Sequence, residues 1–121
     1  MKKHILLLLL FVIHVSCIFC TTLKVPLNYP TIQAAILAST NADTIEVSPG
    51  TYFENINFRG KKILVTSLFY LTKDTSYISS TIINGSTPIN PDTASCVIFN
   101  SGEDSTSILQ GFTLTGGKGT K

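Results

Sequence analysis

"PTIQAAILASTNADTIEVSPGTYFENI", Pro30 to Ile56, decides how the rest of this chain is read. Ile32, Ala35 and Ile36 recur at helical spacing, and Ser39 closes the apolar face. Thr31 is a fitting N-cap, while Pro30 stops the helix from extending backwards. "STNAD", Ser39 to Asp43, is polar turn material that ends it. The pattern predicts one helix over about residues 31–39. The period then changes at once. "TIEV", Thr44 to Val47, alternates like a half-buried strand and meets a turn built on Pro49 and Gly50. "YFENINF", Tyr52 to Phe58, alternates again before the turn "RGKK". A short helix stands ahead of strands.

Working outward towards the C-terminus, every further run also reads as a strand. These runs are "ILVTSLF" (Ile63 to Phe69), "STIINGS" (Ser80 to Ser86), "CVIFNSG" (Cys96 to Gly102) and "SILQGFTLTGG" (Ser107 to Gly117). Thr, Ile, Val and Phe dominate them, as a pleated surface favours. "LTKDTSY", "TPINPDT" and "GEDST" read as polar connectors, so residues 31–39 form the only helix expected. Two all-β arrangements absorb such strands: a sandwich, or a solenoid whose turns stack on one another. The starts at Ile63, Thr81, Cys96 and Phe112 are separated by 18, 15 and 16 residues, a spacing compatible with successive solenoid coils. The opening helix shifts the balance further, because a solenoid's terminal coil exposes an apolar end that a lid must cover.

Working outward towards the N-terminus, Lys2 and Lys3 precede the apolar run "ILLLLLFVI", Ile5 to Ile13, and "VSCIFC" follows His14. This is the three-part pattern of an export signal over residues 1–20, with cleavage after Cys17 or Cys20. A membrane-spanning helix needs about 20 apolar residues, and the clean run is half that. Lipid anchoring at Cys17 is the minor alternative, since His14 stands where such signals carry Leu. The expected location is therefore secreted or cell-surface, with no transmembrane span in the mature chain.

Removing residues 1–20 from the 121 leaves 101, enough for one small domain. Lys2 and Lys3 leave with the signal, so seven basic residues face seven acidic ones. No basic stripe remains to attract nucleic acid. Both histidines leave as well, which removes His-based triads and most zinc sites from consideration. Only Cys96 remains, so the mature chain has no intrachain disulfide, and Cys96 reads as a small buried apolar residue.

The residues also carry a resemblance. "YPTIQAAI", "DTIEVSPGTYFENI" and "GKKILVTS", followed by "TIING" and "ILQGFTLTGG", closely resemble the N-terminal cap and first coils of secreted right-handed parallel β-helix proteins, the pectate-lyase and pectin-esterase-like superfamily. It covers roughly residues 24–117. It implies an all-β right-handed parallel β-helix: a cap helix at about 31–39, coils over about 44–121, and further coils beyond Lys121 in a longer protein. On that view the chain is a fragment. The resemblance also implies that the complete protein binds or acts on polysaccharide, as a lyase or carbohydrate esterase, with calcium as a possible cofactor. The lyases hold calcium with acidic side chains and use an Arg or Lys as base; the esterases use paired Asp residues and an Arg. None of these maps onto this sequence, and the chain itself reads as non-catalytic. The alternative is a non-enzymatic surface or adhesion solenoid.

Few residues offer themselves as sites. Arg59, Lys61 and Lys62 in "RGKK" form the only basic cluster and are candidates to contact an acidic polysaccharide, although a solvated turn has the same composition. Glu103 and Asp104 are candidate calcium ligands, but calcium needs six to eight oxygens. Tyr52, Phe53 and Phe58 are candidate sugar-stacking rings, and alternation turns at least one of them inwards. "GGKGT" is no phosphate loop, since Phe112 replaces the first Gly and Gly119 follows Lys118. "NGS" at Asn84 fits a glycosylation acceptor but reads as turn chemistry. No catalytic residue and no evident cofactor emerge.

Overall fold

The computed structural model describes residues 19–121. The export signal expected over residues 1–20, including Cys17, therefore lies almost wholly outside the described residues.

Strand β1 (Thr22–Val25) leads into helix α1 (Ile32–Ala38), after which come β2 (Thr44–Val47), β3 (Gly50–Phe53), β4 (Ile56–Asn57) and β5 (Leu64–Ser67). Two short helices follow, α2 (Phe69–Thr72) and α3 (Ser76–Ser80). The remainder is β6 (Thr81–Asn84), β7 (Thr93–Ala94), β8 (Val97–Ile98), β9 (Ile108–Gln110), β10 (Thr113–Thr115) and β11 (Gly119–Thr120). Four sheets result, with orders β1-β2-β5-β9, β10-β6-β3, β4-β8 and β11-β7. The first three are parallel, and β11 pairs with β7 antiparallel.

Register explains the core. In the four-stranded sheet Leu23, Ile45, Val65 and Leu109 stand opposite one another in successive strands. The first three are buried and Leu109 packs against them. Side chains alternate between faces along each strand, so the residues between them form a second, more polar column: Lys24, Glu46, Thr66 and Gln110. Lys24 and Glu46 approach to 3.8 Å within it. The three-stranded sheet contributes Ile83, fully buried, with Tyr52 opposite it. Helix α1 adds Ile32, Ala35 and Ile36, all fully buried. Ile56 and Phe58 complete the core, and the Phe58 ring lies 4.3 Å from that of Phe99. Each fully buried Ile or Phe contributes roughly 1.5–3 kcal/mol relative to exposure.

The class expected from the sequence, an all-β right-handed parallel β-helix solenoid, is corrected. The chain is a small α/β domain with 16% helix and several short sheets, both parallel and antiparallel, and no solenoid is indicated. The regular spacing had a different origin. Ile63 and Thr81 introduce β5 and β6, whereas Cys96 and Phe112 precede β8 and β10, and these strands belong to three different sheets. Within the four-stranded sheet the returns are unequal: 22 residues from Leu23 to Ile45, 20 to Val65, then 44 to Leu109. No constant unit adds one strand to every sheet, as a repeat architecture requires.

The two extra helices overlap both ends of the expected connector "LTKDTSY" and also take Phe69 and Ser80, which the sequence pattern assigns to the neighbouring strands. "FYLT" and "SYISS" hold few strong helix formers, so their turns are closed by local geometry rather than propensity. Lys73 adopts the left-handed conformation (φ 58°) and its N–H donates to Phe69 O at 2.8 Å. Asp74 Oδ1 then accepts from Ser76 N at 2.9 Å, which starts α3.

Candidate functional site

The best-formed concavity is built on the N-terminal end of α1. Thr31 Oγ1 accepts from Ala34 N at 3.1 Å, a conventional N-cap. The two preceding helical N–H groups are satisfied from far along the chain, because Glu54 accepts from Ile32 N and Gln33 N, both at 2.9 Å. Gln33 reaches along β4: its Nε2 donates to Asn57 O at 3.1 Å and its Oε1 accepts from Asn57 N at 2.7 Å. The amide thus stands in for a neighbouring strand at the open side of β4.

The β3–β4 turn that supplies Glu54 also supplies Phe53 and Asn55. Alternation in β3 turns Tyr52 and Phe53 to opposite sides. Tyr52 packs against the core, and its hydroxyl donates to Ser48 O at 2.8 Å. Burial and the nearby Glu54 charge push that phenol up, so it stays protonated at neutral pH. Phe53 is 62% exposed. Asn55 ties down the loop between β6 and β7, donating from Nδ2 to Gly85 O at 3.1 Å and to Ser95 O at 3.0 Å. Gly85 is required there, because a Cβ would lie 2.9 Å from Asn55 Nδ2 and 3.2 Å from the Cys96 Cα.

Between these parts runs an open cleft of about 390 Å³. Thr31, Gln33 and the turn Phe53–Asn55 line one side, and Thr87, Ile89, Asn90 and Thr93 line the other. Its volume falls in the range of small-ligand sites. Asn90 Oδ1 accepts from Asp92 N at 2.9 Å, which shapes the loop and leaves the Asn90 amide nitrogen uncommitted. Asn55 Oδ1 is similarly uncommitted while its nitrogen holds the loop. The cleft therefore offers one exposed ring, amides and hydroxyls, and a single carboxylate already engaged by backbone N–H groups.

The charged residues singled out from the sequence lie elsewhere, and the structure brings the basic and acidic sets together. Glu103 accepts from Ser101 N at 2.7 Å and from Gly60 N at 2.9 Å. The first of these bonds does most to hold its carboxyl below the usual range. Asp104 accepts from the Thr106 hydroxyl and from Thr106 N, and pairs with Lys62 at 3.2 Å. Those contacts, Thr106 first, bring its carboxyl down to about 2. Lys61 turns the other way. Its ammonium donates to Ile36 O at 2.6 Å, to Leu37 O at 2.8 Å and to Ser39 O, filling the C-terminal end of α1. Arg59 is exposed in the left-handed conformation (φ 56°), its N–H donating to Asn57 Oδ1. The basic turn and the acidic loop thus fasten to each other and to α1. Among the described residues no three His, Cys, Asp or Glu side chains are grouped to hold a metal.

A second hollow of about 360 Å³, lined by Asn41, Ala42, Asp43, Lys62, Leu64 and Thr106, has its charged groups committed. Asp43 Oδ1 accepts from Thr21 N, and its Oδ2 accepts from Thr40 N and Thr40 Oγ1, while Lys62 pairs with Asp104. Cys96 is only half-buried, with its thiol donating to Thr115 O at 3.1 Å, so it is less enclosed than expected. Asn84 Oδ1 accepts from Ser86 N, the turn chemistry read for "NGS".

Of the three candidate rings, Phe58 is buried, Tyr52 faces inwards and Phe53 alone reaches the cleft. Sequence reasoning missed the far wall because "TPINPDT" carries no periodicity, and nothing local says that residue 55 will staple it. No family model, no curated protein and no solved structure matches this chain. No helix among the described residues is long and apolar enough to cross a membrane.

Proposed function

We propose that this chain is an exported, non-catalytic carbohydrate-binding scaffold that holds a sugar chain in the cleft between α1 and the β6–β7 loop. The observation that carries this reading is the Phe53 ring, 62% exposed and forming a wall of a polar, amide-lined cleft. A pyranose presents C–H groups on its faces and hydroxyls around its rim, so an aromatic plate flanked by amides and hydroxyls matches it chemically. Export draws on Lys2, Lys3 and the apolar run from Ile5 to Ile13.

The non-catalytic part of the reading rests on the cleft's chemistry. Glycoside hydrolysis by the usual route needs two carboxyl groups about 5–9.5 Å apart. Glu54 is the only carboxylate lining the cleft, and both its oxygens accept backbone N–H bonds. The test is isothermal titration or affinity electrophoresis against a panel of soluble polysaccharides, with Phe53→Ala beside the unaltered chain. Losing one stacking ring should weaken binding about tenfold while the circular dichroism spectrum stays unchanged. Equal binding by both proteins removes the cleft as the sugar site.

One further observation favours a second reading, an exported surface protein that works by association. The outer edges of β9 and β10 are unpaired among the described residues, and Phe99, Ile108 and Leu114 are exposed to 47%, 42% and 48%.

A further inference from the structure

We infer that the cleft selects uncharged oligosaccharides and discriminates against uronic-acid chains, an inference that rests on the carbohydrate reading above. A polyuronate carries one carboxylate per residue, and sites that recognise carboxylates supply Arg or Lys to pair with them. This cleft supplies neither. Its lining is Thr, Gln, Asn, Phe and Ile, with Glu54 as its only titratable group.

Of the basic residues that would suit a uronate, Lys61 and Lys62 are spent at a distance, and the exposed Arg59 stands outside the lining. Lys61 fills the end of α1 with its ammonium on three backbone carbonyls, and Lys62 pairs with Asp104. Of the cleft walls, only β7 adjoins a segment with lysines, since Thr93 stands opposite Thr120 in β11. Lys118 and Lys121 flank that strand outside the cleft lining, where Lys121 N donates to the Asp92 backbone carbonyl. A uronate entering beside Phe53 therefore meets the Glu54 carboxylate with no cation in the lining to offset it. A neutral hexose meets the same ring and the uncommitted amide groups of Asn55 and Asn90 without that repulsion. Like charges a few ångströms apart near a protein surface reduce affinity by about tenfold or more.

The experiment titrates the full chain with cellohexaose, mannohexaose, xylohexaose and hexagalacturonate at low ionic strength, following amide chemical shifts so that the binding place is read with the affinity. Thr87→Lys, at an exposed lining position, places a cation in the cleft while leaving Phe53, Asn55 and Asn90 untouched. The inference expects one or more neutral hexasaccharides to shift Phe53 and Asn90, and to bind at least about tenfold tighter than hexagalacturonate. It also expects Thr87→Lys to improve hexagalacturonate binding about tenfold with little change for the neutral sugar. Hexagalacturonate binding in the cleft as tightly as the best neutral sugar overturns the selectivity and leaves the cleft a sugar site. No shift at Phe53 or Asn90 with any of the four overturns the carbohydrate reading itself.

Discussion

Asp43 shows how one side chain ties the start of the fold together. It lies where the chain leaves α1 for β2, and its two oxygens gather Thr21 N ahead of β1 and both Thr40 N and Thr40 Oγ1 from the turn. Burial by itself would raise its pKa, but the bonds from Thr40 and Thr21 and the Lys61 charge outweigh it, and the carboxyl titrates below the ordinary 3.8. A depressed folded-state value means that the folded protein holds the ionised form more strongly than the unfolded chain does. Its contribution is therefore complete above the unfolded value and is lost as pH falls through the folded one. Urea unfolding of the unaltered chain should show stability declining as pH falls through and below the ordinary carboxylate range, and Asp43→Asn should flatten that decline. At pH 7 Asp43→Asn should cost about 1–3 kcal/mol, because one carboxylate oxygen becomes an amide donor facing N–H groups. An unchanged pH slope in the variant would mean that Asp43 is not the group responsible. Lys61 is the counterpart nearby: burial pushes its ammonium pKa down, and Asp43 pushes it back up. The composition of "RGKK" was legible as a solvated turn, but the employment of Lys61 at a helix end was not, because that depends on where α1 finishes.

At the scale of elements, α1 is held by residues that come later in the chain. Glu54 and Thr31 satisfy its first N–H groups, Lys61 its last carbonyls, and Gln33 fastens its side to β4. A seven-residue helix is marginal in isolation, so its persistence depends on these attachments and on burial of Ile32, Ala35 and Ile36. Glu54→Ala should leave Ile32 N and Gln33 N without partners and cost about 1–2 kcal/mol. Hydrogen exchange at those two amides should quicken while exchange in β2 and β5 stays slow. Uniform quickening would show instead that α1 and the sheets open as one unit. Much of this element list was legible: the helix over about 31–39 is Ile32–Ala38, and "TIEV" is β2. Those segments carry strong local signals, a clean period with Thr31 as a cap. Helices α2 and α3 were not legible, because Phe, Tyr, Ile and Ser favour strands or turns and only the local closure at Lys73 and Asp74 coils them. The cleft was half legible. Alternation shows that Tyr52 and Phe53 part company, but the Asn55 staple to Gly85 and Ser95 spans 30 and 40 residues and leaves no local trace.

At the scale of the molecule, the sequence misled where it relied on spacing. Strand starts 18, 15 and 16 residues apart looked like one stack, yet the strands distribute among three sheets whose returns are unequal. The two sides of the four-stranded sheet also differ. At the β1 edge Lys24 supplies a charge, paired with Glu46, and α1 lies against β1 and β2. At the other edge β9 reads Ile-Leu-Gln, and beyond Gly111 and Phe112 the outer strand of the next sheet reads Thr-Leu-Thr. Neither contains a charge or a proline, the devices that usually keep an open edge from pairing. The seven acidic and seven basic side chains among residues 19–121 balance, so no net charge keeps two copies apart. Two copies meeting edge to edge would each offer the same uncharged strands and the exposed side chains of Phe99, Ile108 and Leu114. The association reading therefore expects a concentration-dependent dimer in sedimentation velocity at micromolar protein, persisting at high salt because apolar contact and backbone bonds hold it. Leu114→Lys, at the uncovered end of the row that Tyr52 and Ile83 form, should shift the equilibrium towards monomer by tenfold or more, since the symmetric contact would bring two such lysines together. A chain that stays monomeric to the highest soluble concentration, or a dimer indifferent to Leu114→Lys, would discard association through this edge and leave the cleft as the molecule's one candidate contact surface among the described residues.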